Sequence, residues 1–397
     1  MDKIKSLSFS TRGEALIGQE MFKVLDKAKE MESRGDKIFH LELGNPRLTP
    51  PPEIYKETIK AIENLFTGYT SSAGLLGLRE EIGRHYFLTF GRRISAAEVV
   101  ISPANLIISQ FLDLVCDRGD RVSLFSPVFP TYLAASAYIG LDVQSISLSA
   151  REGFDLTQID IDEAISRKPR AIIVNSANNP TGRVYSQNVL EYLAKKCDEQ
   201  GIWLLSDETY ASTAFGRQFF SLATLSYPRL VVMSSFSKVF SIPGYRIGYA
   251  IACNEVIRKL TLSNSTLFSC LPEFSQMGCV AGLRVLDSYE KKITRYYKEI
   301  TEEITELMNS STIVKFSKPD SAFYIFVDIS RTLLNDTEFC ELLLSQKYTA
   351  AIPGSSFGKQ FTSFVRIALC GSMEDVKEGI HRFMELAEEC AMKKNRA

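Results

Sequence analysis

Between residues 99 and 253 the chain alternates short apolar, β-branched runs with longer stretches whose apolar positions recur near the helical period. VVIS at 99–102, RVSLFSP at 121–127, DVQSISL at 142–148, AIIVNSA at 171–177, IWLLSDE at 202–208 and LVVMSS at 230–235 read as strands. PTYLAASAYIG and QNVLEYLAKKCDEQG, each closed by a glycine, read as helices, and NLIISQFLDLVCDRGD reads as an apolar helix stopped by Gly119. Such alternation predicts an α/β fold, a mostly parallel sheet sandwiched by helices.

Upstream, residues 16–34 are rich in helix formers, carry apolar positions near the same period and end at Gly35. IFHLELGNP at 38–46 predicts a strand running into a Gly-Asn-Pro turn. PPPEIYKETIKAIEN opens a helix on prolines, whose missing N–H costs nothing in a first turn. The polar loop GYTSSAG then leads to a helix from about Leu76. Past Cys253 the character changes. A long charged helical region over 254–308 leads to AFYIFVDI (strand), TEFCELLLSQ (helix), SFVRIALC (strand) and an amphipathic helix ending in MKKNRA. Two domains are expected: a large one over 46–285, and a smaller α+β one built from 1–45 with 286–397.

Composition narrows the function. A chain of 397 residues, 45% hydrophobic and 23% charged, has the make-up of an ordinary soluble globular protein with more than one small core. Its 46 basic and 47 acidic residues leave no excess to steer it to nucleic acid or an anionic membrane. MDKIKSLSFSTRGEALIG lacks the apolar core of a signal peptide, and no run reaches the roughly 18 uncharged apolar residues of a membrane span. A cytoplasmic location is expected. The eight cysteines are scattered, with no C-x-x-C pair and no histidine near any two, so neither a metal site nor a disulfide framework is expected. Most read as small core residues. His40, His85 and His381 are the only histidines, and none sits beside a plausible nucleophile. A serine or cysteine triad has little to work with, and in an enzyme another group must move the protons.

Four polar islands lie at the ends of predicted strands, where open α/β sheets bind ligands. Ser102-Pro103-Ala104-Asn105 sits at a strand-to-helix junction, whose free N–H groups and dipole favour a phosphate. Asn175 to Gly182 contains an Asn-Pro-Thr-Gly turn. Asp207 follows a buried strand, where an aspartate is costly to desolvate without a cation: a structural arginine, or a ring nitrogen that must stay protonated. The fourth is VVMSSFSKVFSIPGYRIGYA, residues 231–250. Its Lys238 reads either as a solvated loop lysine or as the partner of a carbonyl cofactor in an imine, with Ser235, Ser237 and Arg246 holding a phosphate.

Taken singly these are ordinary turns. In order, Asn179-Pro180-Thr181-Gly182, Asp207 with Tyr210, Ser235-Phe236-Ser237-Lys238 with Arg246, and Arg366 resemble the signature of the class I/II aminotransferases. The resemblance runs from about Leu43 to Ala368 and implies a pyridoxal 5'-phosphate enzyme of fold type I. It implies that Lys238 forms the internal aldimine and, once displaced by a substrate amine, shuttles the proton between Cα and the cofactor carbon. Asp207 would keep the pyridinium nitrogen protonated, Asn179 and Tyr210 would bond the ring's phenolate oxygen, and Phe129 would stack on the ring. Ser235, Ser237, Arg246 and the backbone around Ala104 and Asn105 would hold the phosphate. Tyr69 would reach the phosphate of the other subunit, implying a homodimer. Arg366, with Asn179 and the backbone at Gly44, would grip the substrate α-carboxylate.

The chain departs from the family at several points. Ala104 stands where the phosphate turn usually has glycine, after a stiffening Pro103. Arg47 replaces a usual acidic residue; it is a surface charge or a reader of an acidic or phosphorylated side chain. Pro353 to Gly358 fits the loop before the arginine strand, but the usual glycines between it and Arg366 are absent. The leading expectation is an aminotransferase moving an amino group between an L-amino acid and a 2-oxo acid. The same cofactor chemistry also leads to elimination, cyclisation or another reaction on a specialised amino acid, and the fold can serve as a non-catalytic binding domain.

Overall fold

The computed structural model describes residues 8–394; the first seven residues and the last three of the MKKNRA tail lie outside them. Its thirteen strands, in chain order, are β1 (Phe39–His40), β2 (Val99–Ser102), β3 (Arg121–Ser126), β4 (Asp142–Ser147), β5 (Ala171–Asn175), β6 (Trp203–Asp207), β7 (Leu230–Ser235), β8 (Gly248–Ile251), β9 (Lys315–Phe316), β10 (Tyr324–Asp328), β11 (Thr349–Ala350), β12 (Ile352–Pro353) and β13 (Phe364–Ala368).

Seven of these form one sheet in the order β2-β8-β7-β6-β5-β3-β4. Only β8 runs against the rest. The central strands are apolar throughout because both faces are covered. Ile172, Val174, Leu204 and Val232 pack into the core on one side. Ala171, Ile173, Leu205, Val231 and Met233 pack into the core on the other. That alternation is the period of two that a strand imposes on its side chains. Gly140 and Gly201 end the helices Pro130–Ile139 and Gln187–Gln200 in the left-handed region, at φ 85° and 65°. Glycine takes that conformation without the Cβ clash other residues meet.

The C-terminal part carries its own antiparallel sheet, β12-β13-β10-β9, with β13 in an inner position. Val365 and Ile367 of β13 join Ile325 and Val327 of β10 in a core with Tyr297, Ile300 and Ile304 of the helix Leu286–Met308 and Phe383 of the helix Met373–Lys394. Arg366 lies between Val365 and Ile367, and so points to the opposite face of that sheet.

Several boundaries differ from the sequence reading. The expected helix over 16–34 runs from Glu20 to Ser33, preceded by a short turn of helix at Thr11–Glu14. The helix after Pro103 ends at Val115, short of Gly119, because Cys116 is extended and the Asp120 carboxylate takes the N–H of Asp117 at 2.9 Å. The charged region over 254–308 is three helices, Asn254–Leu267, Glu273–Arg284 and Leu286–Met308, the second beginning after Pro272. The strand expected from IFHLELGNP shrinks to Phe39–His40. Beyond it the carbonyls of Glu42 and Gly44 accept from the side chains of Arg366 and Lys238 in place of a neighbouring strand. Cys116, Cys197, Cys279, Cys340 and Cys370 are buried as expected, whereas Cys253 is exposed. Among the described residues no helix is long and apolar enough to cross a membrane.

Candidate active site

Five parallel strands, β2, β3, β5, β6 and β7, end at the same edge of the large sheet, and the segments that leave them converge on a cavity of about 500 Å3. Twelve of the thirteen predicted residues line it: Gly44, Ala104, Asn105, Phe129, Asn179, Asp207, Tyr210, Ser235, Ser237, Lys238, Arg246 and Arg366. The thirteenth, Tyr69, does not; it stands 92% exposed on the surface.

Asp207, the last residue of β6, is buried, and its two oxygens accept from the Tyr132 hydroxyl at 2.7 Å and the Thr209 N–H at 3.0 Å. Burial raises its pKa, and these bonds pull back in the other direction. No lysine, arginine or histidine among the described residues pairs with it. A carboxylate so placed beside a cavity is a vacant counter-charge for a cation, and a protonated ring nitrogen meets that need. The Asn175 amide donates to the Asp207 carbonyl at 3.0 Å and accepts the Asn179 N–H at 2.8 Å, tying β5, β6 and the Asn-Pro turn together.

Lys238 is carried on the one-turn helix Phe236–Val239 that leaves β7, where Ser235 Oγ accepts the Ser237 N–H at 3.2 Å. Its Nζ donates to the Gly44 carbonyl at 2.6 Å. Burial pushes the ammonium down to about 8; the nearby Arg366 and Arg246 charges push the same way, against the Cys370 thiol. A lysine with its pKa so lowered holds a larger neutral fraction, the form that attacks carbonyls, than an ordinary one does.

The phosphate end is built differently. Ala104 begins the helix Ala104–Val115, and Arg246 stands at the rim with Nη1 on the Pro243 carbonyl at 2.9 Å. The methyl that Ala104 carries in place of the family's glycine is accommodated by β8. A Cβ on Gly248 would lie 3.0 Å from it and 2.7 Å from the Ser234 carbonyl. Gly44 has no alternative either, since a Cβ there would sit 1.8 Å from the Tyr324 hydroxyl.

Arg366 crosses from the small sheet into the cavity and is 1% exposed. Its Nη1 donates to Asn179 Oδ1 at 3.2 Å, and its Nη2 donates to the Glu42 carbonyl. The guanidinium lies 4.5 Å from the centre of the Tyr324 ring and 5.0 Å from that of Phe357. Its buried Nε has no partner, leaving a donor for an incoming carboxylate. The unpaired Asp207 carboxylate, the near-neutral amine and this open donor, arranged around one space, fit pyridoxal phosphate and an amino acid together.

Four side chains that sequence reasoning assigned no role are held here. Tyr132 supports Asp207, Asn175 bridges two motifs, and Tyr324 meets the Tyr210 hydroxyl at 2.9 Å. Glu42, buried under Arg366, takes the His40 Nδ1 at 2.8 Å. Tyr132, three positions past Phe129 in one helical segment, and Asn175, at the head of the second polar island, left a trace in the sequence. Arg47, exposed, lines a neighbouring cavity with Lys29, Glu32, His40 and Glu42.

The model of the family "Aminotransferase class I and II" matches residues 36–383. A "Probable aspartate/prephenate aminotransferase" of Aquifex aeolicus is 32% identical, covering 91% of this chain and 94% of its own. An "Aspartate aminotransferase" of Thermotoga maritima is 30% identical, covering 90% and 93%. The solved structure of the Thermus thermophilus aspartate aminotransferase with maleate superposes with a TM-score of 0.91 at 25% identity, over 96% of this chain and all of that one. A match of this extent, on a cavity whose residues fit the cofactor, leaves one conclusion: the chain belongs to the class I and II aminotransferases, pyridoxal-phosphate-dependent enzymes of fold type I.

Proposed function

We propose that this aminotransferase exchanges the amino group of an L-amino acid with a 2-oxo acid at the cavity described, with Lys238 moving the proton. Pyridoxal phosphate, when bound, supplies a carbonyl carbon for amine exchange and a ring that accepts the electron pair left at substrate Cα. Lys238 Nζ would hold the group through that carbonyl. Once freed, it would take the proton from substrate Cα and give it back, a task suited to an amine with a pKa of about 8. Asp207 would pair with a protonated ring nitrogen, its carboxylate fixed in place by Tyr132 and Thr209. Asn179 and Tyr210 would bond the phenolate oxygen, and Phe129 would cover the ring. Ser235, Ser237, Arg246 and the N–H groups at Ala104 and Asn105 would cradle the phosphate. Arg366, with Asn179 and the Gly44 backbone, orients the α-carboxylate so that the Cα–H faces Lys238.

The observation that carries this reading is the near-neutral Lys238 amine sharing a cavity with unpaired Asp207 and the open Nε of Arg366. Purified protein incubated with pyridoxal phosphate is expected to absorb in the visible, and the Lys238→Ala variant to lose that band. Addition of an amino donor should bleach it and release one 2-oxo acid per site. A wild-type protein with no visible band would overturn the reading. A band that survives turnover with no oxo acid released would point to elimination or cyclisation.

The same reading takes the chain as a cytoplasmic homodimer with a large domain over 46–285 and a small one over 1–45 and 286–397. Support for the dimer comes from one face. Tyr55, Ile59 and Ile62 on the helix Pro52–Glu63 are exposed, as are Leu65, Phe66 and Tyr69 just beyond it. An apolar patch of that kind asks for a partner. A second copy would cover it and bring Tyr69 to the other subunit's phosphate. Sedimentation of the wild-type chain, expected to show a dimer, tests this.

A further inference from the structure

We infer that the amino acid this enzyme accepts carries an uncharged, mainly apolar side chain, and that dicarboxylates such as aspartate are poor substrates. The inference rests on the assignment of the α-carboxylate to Arg366 and of the phosphate to Arg246. It then follows from an inventory of charge. The cavity is lined by three cationic side chains, Lys238, Arg246 and Arg366. The first carries the cofactor, the second faces its phosphate, and the third is committed to the α-carboxylate, to Asn179 and to the Glu42 carbonyl. Among the described residues of the single chain, no cation in the lining is left over for a carboxylate on the substrate side chain.

What remains of the wall is neutral. Met21 and Phe22 open the helix Glu20–Ser33, and Leu43 precedes Gly44; all three line the cavity. The polar groups beside them are engaged elsewhere: the Gln19 amide donates to Thr131 Oγ1 at 2.9 Å, and the Tyr324 hydroxyl meets that of Tyr210 at 2.9 Å. Arg47 lines the neighbouring cavity with Lys29, Glu32 and Glu42, and both carboxylates there bond His40; Leu43 and Asn45 line both spaces. A side-chain carboxylate bound against Met21, Phe22 and Leu43 would lose its water with no counter-charge to replace it. A branched aliphatic or aromatic side chain in the same place gains by leaving water. Several relatives are named aspartate aminotransferases, so the expected selectivity departs from theirs.

The test uses the protein loaded with pyridoxal phosphate. Bleaching of the visible band by leucine, methionine and phenylalanine is compared with bleaching by aspartate, as kcat/KM. Separately, calorimetry compares two unreactive probes, 4-methylpentanoate and maleate. We expect the best apolar amino acid to exceed aspartate by about a hundredfold, and 4-methylpentanoate to bind at least tenfold tighter than maleate. Phe22 is half exposed, so Phe22→Arg should fold normally while placing a cation at the wall. It should raise the aspartate-to-leucine ratio at least tenfold. Aspartate turning over as fast as leucine, or maleate binding more tightly, would overturn the inference. Tight 4-methylpentanoate binding without bleaching by any amino acid would support the apolar wall and sink the assigned transamination instead.

Discussion

On the floor of the cavity, where β5, β6 and β7 end, each carboxylate oxygen of Asp207 has a donor and the polar groups beside it hold one another. The outer wall at Gln19, Met21 and Phe22 is the start of a helix, with Phe22 half exposed and Gln19 tied to Thr131 by one hydrogen bond. The floor is preorganised for a cofactor whose charge pattern does not change between substrates. The wall has only to exclude water and accept a shape. Chemistry that every member of the family shares therefore sits on interlocked strand ends, and selectivity sits on a segment free to vary. If that division is real, floor substitutions should lower turnover whatever the substrate, and wall substitutions should change which substrate is preferred.

The largest loss is expected from Asp207→Ala. Removing one partner of a buried charge pair costs about 3–5 kcal/mol, or roughly a hundred- to several-thousand-fold in turnover. The fall should be the same for every amino donor, read by single-turnover bleaching, with the fold checked by circular dichroism. A loss confined to one class of donor would move Asp207 from the cofactor to the substrate.

Arg366→Ala comes next and tests the seam between the two regions, because Arg366 reaches the floor from the small sheet. Losing a hydrogen-bonded charge contact to the α-carboxylate is worth about 2–5 kcal/mol. It should show as a raised KM for amino and oxo acids alike, with the cofactor band intact. An unchanged KM would mean that the carboxylate binds elsewhere.

Tyr132→Phe is a gentler probe of the floor. The hydrogen bond it removes ends on a carboxylate, for which about 1.5–3 kcal/mol is typical. Turnover should fall by about ten- to a hundredfold, with KM little moved. If Tyr132 served only to fill space, the phenylalanine would restore activity in full, which a Tyr132→Leu variant could not.

The floor was largely legible in the sequence and the wall was not, for a physical reason. Asn179, Asp207 and Lys238 stand at or just past the end of a buried strand, where a polar residue is conspicuous against the apolar run before it, and Arg246 stands just ahead of the next strand. Tyr132 is 75 residues from the carboxylate it supports, and the pair exists only once β3 and β6 lie in one sheet. Glu42 is hidden in the same way: its carbonyl meets a guanidinium 324 residues on. The strand expected at 38–46 failed there because its carbonyls point to side chains that local pattern cannot place. Met21 and Phe22 read as part of an amphipathic helix, and only the packed chain turns that helix start toward the cavity.

The smallest effect concerns the rate at which the protein takes up its cofactor, and it separates a tuned lysine from an ordinary one. Stripped of pyridoxal phosphate, Lys238 must be neutral to attack the carbonyl. With its pKa lowered from the ordinary lysine value to about 8, the neutral fraction rises with pH and saturates above that value. Between pH 7 and pH 9 the uptake rate, followed by the growth of the visible band, should rise about tenfold and then level off, as protonation at the lowered pKa dictates. A lysine at its ordinary pKa near 10.4 would gain about a hundredfold over the same range and still be climbing at pH 9. The shift also has a direction that can be reversed. Burial is its largest cause and the Arg366 charge adds to it, so Arg366→Ala should move the plateau to higher pH, whereas a wall variant such as Phe22→Ala should leave it where it is. A plateau that moved equally in both variants would show that the wall, and not the floor alone, keeps water from the amine.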